Sequence, residues 1–255
     1  MDLKLSPSVS KNYKSGPQIV RIVTEDWGTR NLYCPACYSN NVTKAPPNTP
    51  TIDFACPICH QTYQLKSSRN WNDIKIVDAA YSTMIAAIRN DDTPNLFLLQ
   101  YSIVWRVQNM LLIPHFFITE SVIEKRKPLS PLARRAGWIG CNILLTEIPK
   151  DGKVRIVSDG IETDPTEVRK QFQRVKPFAD LNVRLRGWTL DMFKIVRRLN
   201  KVEFSLPDVY KYDSELAALH PDNKNIRAKI RQQLQILRDL GFLIFTTRGH
   251  YNLIV

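Results

Sequence analysis

The chain has 255 residues, of which 44% are hydrophobic and 24% are charged, an ordinary composition for a globular protein with room for two domains. Its formal net charge of +12 makes a polyanion the default partner, although basic proteins also bind membrane surfaces and acidic proteins. No stretch reaches the roughly 18 apolar residues of a membrane span, and the N-terminus lacks the apolar core of a signal peptide. A cytoplasmic protein without a membrane partner is therefore expected.

The first predicted element is an amphipathic helix over residues 17 to 30. Apolar residues recur at helical spacing from Ile19 to Trp27. Glu25 could lean from this helix toward a metal site, but a solvated glutamate on the helix face is the more common outcome. The sequence leaves both roles open.

Four cysteines form two C-x-x-C pairs that are 18 residues apart: Cys34, Cys37, Cys56 and Cys59. This spacing is typical of a four-thiolate Zn2+ site, and a reducing compartment favours metal over disulfides. Four thiolates leave no open coordination position, which predicts a structural ion. The remaining cysteine, Cys141, is expected to be a buried apolar residue.

Two short strands, over residues 52 to 55 and 62 to 66, flank the second cysteine pair. Alternation along the later strand places Gln64 and Lys66 on one face, and a hairpin can bring Asp53 opposite them. Together they form a D-x10-Q-x-K variant of the PD-(D/E)xK nuclease motif, in which two oxygen ligands and a lysine surround Mg2+. Because these residue types are common, a surface strand with a solvated lysine explains the same pattern.

Downstream, the pattern predicts an α/β/α core. Apolar residues from 74 to 88 step by three or four and predict a helix. The apolar runs at 96 to 99 and 110 to 113 predict buried strands. A charged helix begins at Pro165, and Lys176-Pro177 marks its end.

Residues 125 to 143 place five basic side chains beside a tryptophan bracketed by two glycines. Arg134 and Arg135 could contact phosphates, and Trp138 could lie against a base or a methyl group. On local sequence alone, a core tryptophan that closes a loop is the more common outcome.

The pattern then changes to three helices and a hairpin. Thr189 is predicted to cap the first helix, Ser205 and Asp208 form a capping box for the second, and the third starts at Ile226. The hairpin ends at Val255.

Three helices followed by a hairpin predict a winged helix, whose third helix would enter a major groove. A winged helix can equally be a dimerisation module. Polar and basic residues on the third helix favour DNA: Arg227, Lys229, Arg231, Gln232 and Gln235.

The segments LARRAGWIGCNI and IRQQLQILRDLGF, together with the paired cysteines, closely resemble the DpnI family of methyl-directed restriction endonucleases. The resemblance covers essentially the whole chain. It implies a monomeric, zinc-containing PD-(D/E)xK nuclease joined to a winged helix, which cuts GATC only when its adenine carries an N6-methyl group. Asp53 and Lys66 match the family pattern, as do the four cysteines, and Trp138 is placed near the methylated adenine. Gln64 departs from it, since the motif usually has glutamate there.

The sequence thus predicts an α/β fold: a PD-(D/E)xK restriction-endonuclease-like core with a zinc knuckle over residues 1 to 182, and a winged-helix domain over 183 to 255. The expected activity is Mg2+-dependent double-strand cleavage of adenine-methylated DNA. The alternative is a non-catalytic zinc and winged-helix DNA-binding protein, either a regulator or a decayed nuclease. The magnitudes involved in methyl recognition also predict that both domains test the methyl groups.

Overall fold

A computed structural model describes residues 1–46, 49–70 and 72–254. Val255, the end of the predicted C-terminal hairpin, lies outside the described residues. The chain forms two compact units. The first unit comprises Met1–Asp73, Asp92–Ile118 and Lys150–Lys176, and the second comprises Ile74–Asp91, Thr119–Pro149 and Pro177–Val255.

Strands and helices of the described residues are numbered in chain order. The strands are β1 (Thr43–Lys44), β2 (Phe54–Ala55), β3 (Thr62–Ser68), β4 (Lys75–Ala80), β5 (Asn95–Tyr101), β6 (Val107–Ile113), β7 (Ile123–Lys125), β8 (Gly140–Leu144), β9 (Val154–Ser158), β10 (Ile161–Glu162), β11 (Glu203–Ser205), β12 (Leu243–Thr247) and β13 (His250–Leu253). The α-helices are α1 (Gly16–Asn31), α2 (Tyr81–Arg89), α3 (Pro165–Val175), α4 (Val183–Arg198), α5 (Leu206–Tyr210), α6 (Asp213–Leu219) and α7 (Ile226–Asp239). None of these helices is long and apolar enough to cross a membrane.

The first unit is built on a seven-stranded mixed sheet in the order β1-β2-β3-β5-β6-β9-β10. Strands β3 and β5 run parallel, and the other described neighbours in this sheet are antiparallel. Helix α1 packs against β3 through a buried face that includes Val23 and Trp27, and α3 packs against β9 through Val168 and Phe172. The α/β class predicted from the sequence is confirmed.

The two predicted buried strands are also confirmed. They extend slightly beyond the apolar runs, as β5 and β6, and pair in the register Leu98↔Leu111. The charged helix α3 begins at Pro165, where the Asp164 side chain accepts a hydrogen bond from Thr166 N, and it ends at Val175. The continuous run of buried apolar residues in β5, from Leu96 to Leu99, is typical of a strand covered on both faces.

The helix predicted over residues 74 to 88 is wrong in its first half. Residues 75–80 form β4, which pairs antiparallel with β8, and α2 begins only at Tyr81. Ile74 and Val77, two members of the apparent helical stripe, are each 60% exposed. The β-branched residues of this stretch favour an extended backbone, and pairing with β8 supplies its hydrogen bonds.

The second unit contains the small sheet β4-β8-β7, the helices α4 to α7 and the sheet β11-β13-β12. Residues 74–91 and 119–149 join the C-terminal segment because α4 is bonded to them. Arg186 forms a bidentate pair with Asp91 at 2.6 and 2.8 Å, and Lys194 lies 2.8 Å from Glu147. The domain boundary at residue 182 stays a prediction.

Within the C-terminal segment the predicted order of helices and hairpin is confirmed, with two corrections. Asn182, not Thr189, caps α4, and the Thr189 hydroxyl lies 2.7 Å from Oε1 of the buried Gln233. The second predicted helix is divided into α5 and α6. Its predicted capping is confirmed, since Asp208 accepts from the backbone N–H of Ser205 at 3.0 Å. Thr189 therefore lies inside α4 and bonds to Gln233 of α7, where the sequence had favoured a cap at the start of the helix.

Candidate active site

The four cysteines of the two C-x-x-C pairs converge on one point of the first unit. Their sulfur atoms all lie within 4.8 Å of one another, with 3.6 Å between Cys34 and Cys59 and 3.5 Å between Cys37 and Cys56. Zinc held tetrahedrally at about 2.3 Å from each thiolate places the sulfurs about 3.8 Å apart. The predicted cluster is confirmed as one that could hold zinc.

Backbone N–H groups favour the thiolate form of Cys56. Ile58 N and Cys59 N donate to Cys56 Sγ at 3.4 and 3.5 Å. Burial opposes ionisation, but hydrogen bonds to the sulfur outweigh burial and lower the pKa of Cys56 to about 6. Because zinc binds the thiolate, Cys56 is the readiest ligand of the cluster, whereas burial raises the pKa of Cys59 to about 11 and also raises the pKa of Cys34.

The cysteine cluster is joined to the central sheet through β3. The Tyr63 hydroxyl lies 3.0 Å from Cys34 Sγ, and the Tyr63 ring stacks on Phe97 of β5 at 4.9 Å between centroids. From α3, Gln173 donates to the Ala36 carbonyl at 2.7 Å. The cluster is thus held by the sheet and by a helix.

The second cysteine pair lies in the connection between β2 and β3, as predicted. Asp53 immediately precedes β2, and its N–H donates to the Tyr63 carbonyl at 2.9 Å. The Asp53 carboxylate accepts a hydrogen bond from Leu65 N at 2.7 Å. Because Leu65 lies between Gln64 and Lys66, this bond fixes the aspartate beside both residues.

Asp53, Gln64 and Lys66 line one cleft of about 600 Å³ in the first unit. The predicted constellation is thus brought together at one place. Further lining residues come from α1, from β3 and the segment after it, and from β5: Pro17, Val20, Arg21, Thr24, Glu25, Leu65, Ser67, Ser68, Arg69, Asn70 and Tyr101.

Glu25, for which the sequence left two roles open, also lines this cleft. The solvated position is wrong, because Glu25 is only 4% exposed. Its carboxylate lies 2.5 Å from Arg21 Nε and 2.7 Å from Lys44 Nζ. The sequence feature that could have indicated this burial is Gly28, one helical turn after Glu25. A Cβ on Gly28 would lie 2.7 Å from the Phe54 ring, so this face of α1 lies close to β2.

The carboxyl groups of Asp53 and Glu25 influence each other. Burial raises the pKa of Asp53, the hydrogen bond from Leu65 N opposes that shift, and the negative charge of Glu25 adds to it. Burial would also raise the pKa of Glu25, but its bonds to Lys44 and Arg21 outweigh burial and lower it. The cleft therefore brings two carboxyl groups together in a partly buried position, and the one of Glu25 is paired with cations.

Replacing Asp53 with asparagine is expected to raise the melting temperature of the metal-free protein at pH 7. A folded-state pKa above the unfolded value means that ionised Asp53 destabilises the fold. This cost is complete above the raised pKa and disappears as the pH falls below about 3.8, the ordinary value for aspartate. Thermal melts in chelator at pH 7 and near pH 4 measure it. A lower melting temperature for Asp53→Asn at pH 7 would contradict the expectation.

The predicted DNA-contacting loop lies in the second unit and keeps Trp138 near the surface. The Trp138 ring is half-buried, and the Arg135 guanidinium lies 4.7 Å from its centroid. A Cβ on Gly140 would lie 2.7 Å from this ring, so glycine is required for the close approach. Arg134 and Arg135 are exposed. The loop therefore presents two cations and part of an indole to solvent.

Helix α7 presents the predicted polar face. Arg227, Arg231 and Gln235 recur at every fourth position and are exposed. Arg231 donates to the Tyr210 hydroxyl at 2.8 Å. The Lys229 ammonium lies 2.9 Å from the exposed Gln232 Oε1. These contacts order long side chains on the surface of α7.

Two family models match this chain. The model described as the Dam-replacing family, DpnI, matches residues 1–180, and the model described as the Dam-replacing HTH domain, DpnI_C, matches residues 184–253. The chain belongs to the DpnI family. The predicted family resemblance is thereby confirmed, and membership of the DpnI family indicates a methyl-dependent restriction endonuclease with a DNA-binding helix-turn-helix domain.

Proposed function

We propose that the chain is a monomeric type II methyl-directed restriction endonuclease that makes Mg2+-dependent double-strand cuts in N6-adenine-methylated DNA, at G(m6A)TC. The observation that carries the proposal is the convergence of Asp53, Gln64 and Lys66 in one cleft of a DpnI-family chain. The proposal includes a PD-(D/E)xK core within residues 1–182 and a winged-helix domain over 183–255.

The donor set of the cleft suits a hard cation. Asp53 supplies a carboxylate and Gln64 a neutral amide oxygen, and Mg2+ prefers oxygen ligands. The motif usually carries a second carboxylate at the position of Gln64; Glu25 adds a carboxylate to the cleft, with its charge balanced by Arg21 and Lys44. When bound, Mg2+ would polarise the phosphate and favour ionisation of a water.

The remaining chemistry falls to the protein. Lys66 stands on β3 beside Asp53 and offers a fixed positive charge to the scissile phosphate or the attacking oxygen. Asp53 is held by Leu65 N, so it does not have to reorganise when substrate binds. Positioning and preorganised charge are the main contributions a protein makes to such a reaction.

The zinc site is structural in this proposal. Its four thiolates leave no position for a reacting water. The cluster instead closes the β2–β3 connection and thereby fixes Asp53 relative to Lys66.

Two parts of the protein, the Trp138 loop and helix α7, share the recognition of the methyl groups. The N6-methyl group projects into the major groove, where the Trp138 loop and the α7 face could each contact it. One methyl contact is worth only about 1 to 3 kcal/mol, roughly tenfold to 200-fold in discrimination. A restriction enzyme requires more than that, so we assign one reading step to Trp138 with Arg134 and Arg135. We assign the second step to polar and basic residues of α7: Arg227, Lys229, Arg231, Gln232 and Gln235.

Replacing Trp138 with alanine is expected to lower the ratio of cutting rates on methylated and unmethylated DNA by about tenfold to 200-fold, the value of one methyl contact. Leu132→Ala is the control, because Leu132 belongs to the same loop and is 97% exposed. An unchanged ratio in Trp138→Ala would remove this residue from methyl recognition.

Synthetic duplexes that carry one GATC site with two, one or no N6-methyl groups test the proposed function. In Mg2+ the enzyme should cut the doubly methylated duplex fastest and the unmethylated duplex slowest. Equal binding without cleavage of any duplex would favour the alternative, a DNA-binding regulator or decayed nuclease.

A further inference from the structure

The turn between β5 and β6 exposes two apolar side chains at its tip. Trp105 N donates to the Ser102 carbonyl at 3.0 Å, which closes a turn with Ile103 and Val104 at its centre. These two residues are 77% and 73% exposed. Turn centres usually carry glycine, asparagine, aspartate or proline, so an adjacent β-branched pair requires another explanation.

The tip is held rigidly. Trp105 has a φ of 56°, in the left-handed region that bulky residues rarely adopt. Its ring stacks on Tyr101 at 5.0 Å with an angle of 12° between planes, and the Arg69 guanidinium lies 5.8 Å from the Trp105 ring. Leu5 N donates to the Trp105 carbonyl at 2.8 Å. The stacked rings and this bond stabilise a backbone conformation that presents the apolar pair outward.

The same residues connect the tip to the candidate active site. Arg69 and Tyr101, which support Trp105, also line the cleft that contains Asp53. Exposed Lys4 and Arg106 face each other across a β-bridge at the base of the turn. A polyanion bound in the cleft would therefore meet an apolar tip flanked by positive charge.

We propose that Ile103 and Val104 form an apolar wedge that enters the minor groove of duplex DNA bound in the cleft. This inference rests on the proposed function, which places a duplex there. Apolar side chains inserted from the minor groove unstack a base step and bend the duplex, while Lys4 and Arg106 are positioned for the adjacent phosphates. Major-groove methyl recognition leaves the minor groove available.

The test replaces both tip residues in the full chain, as Ile103→Asn with Val104→Asn. Asparagine is favoured in turns, so the hairpin should remain folded. Binding is measured in a Lys66→Ala background that keeps the DNA intact, on a methylated GATC duplex with a fluorescent donor and acceptor at its ends. Val202→Asn, at a residue that is 57% exposed in the second unit, is the matched control.

We expect the double variant to bind about tenfold more weakly, the loss typical of truncated interface contacts, and to lose the energy-transfer change that reports bending. Because the tip is uncharged, the loss should be the same at every salt concentration, whereas Arg106→Ala should reduce the salt slope by about 0.9. Unchanged affinity and bending would overturn the wedge. A shift from dimer to monomer in sedimentation with unchanged bending would also overturn it, and assign the tip to self-association.

Cleavage by otherwise wild-type protein separates this inference from the proposed function. A chain that cuts methylated DNA, yet bends it equally with and without Ile103 and Val104, retains its nuclease assignment and loses only the wedge. If the wild-type protein cuts no duplex, DNA bending by the Lys66→Ala protein still shows whether the tip contacts DNA.

Discussion

Lys66→Ala or Asp53→Ala should abolish cleavage while leaving binding to methylated DNA largely intact. Removing one preorganised charged group from such a site costs about 10² to 10³-fold in rate, and loss of Asp53 also removes a metal ligand. The residues that we assign to DNA reading lie elsewhere, on the Trp138 loop and on α7. Rates are measured with Mg2+ on a methylated duplex, and affinities are measured in parallel.

Lys170→Ala is the matched control for the lost lysine charge. Lys170 lies on α3 of the same unit with an 80% exposed side chain, and it does not line the cleft. Its replacement should leave the rate nearly unchanged. Cutting by Lys66→Ala at the wild-type rate would remove this residue from the active site.

Cys56→Ser should yield poorly soluble, zinc-free protein. Structural zinc contributes an apparent 10 to 16 kcal/mol, about as much as the roughly 5 to 15 kcal/mol that stabilises a whole domain. The consequence reaches the active site because the cluster closes the connection that leads from Asp53 to β3. Soluble yield, bound zinc and far-ultraviolet circular dichroism report the loss.

Cys141→Ser provides the control for this experiment. Cys141 is fully buried in the second unit, outside the cluster, and its thiol donates to the Ala79 carbonyl at 3.3 Å. Serine can keep that bond, so this variant should remain folded and retain zinc. A soluble, zinc-free and fully active Cys56→Ser would show that the ion is dispensable.

The features that could be predicted from the sequence depend on short spacings. Two C-x-x-C pairs and an alternating strand specify a cluster and a hairpin, since neighbouring residues determine both. The helix predicted over residues 74 to 88 is wrong in its first half because β4 pairs with β8, whose residues lie 60 to 69 positions later in the chain. Helical periodicity cannot report such a long-range pairing.

The expected solvated position of Glu25 and the expected helix cap at Thr189 are wrong for a related reason. Glu25 is buried on a face of α1 where Gly28 lies against the Phe54 ring, and the Thr189 hydroxyl bonds to Gln233 of another helix. Charged and capping residues have strong local preferences, but contacts between distant segments override them. The sequence therefore predicted the three motif residues and the helix α1, but it did not decide whether Glu25 is solvated or faces the cleft.

The most direct measurement compares one plasmid prepared from adenine-methylating and non-methylating hosts, incubated with the protein and Mg2+. We predict that only the methylated plasmid is fragmented, that chelation of Mg2+ stops the reaction, and that Lys66→Ala leaves both plasmids intact. Equal fragmentation of the two plasmids, or cutting by Lys66→Ala at the wild-type rate, would contradict a methyl-directed nuclease that acts through this cleft.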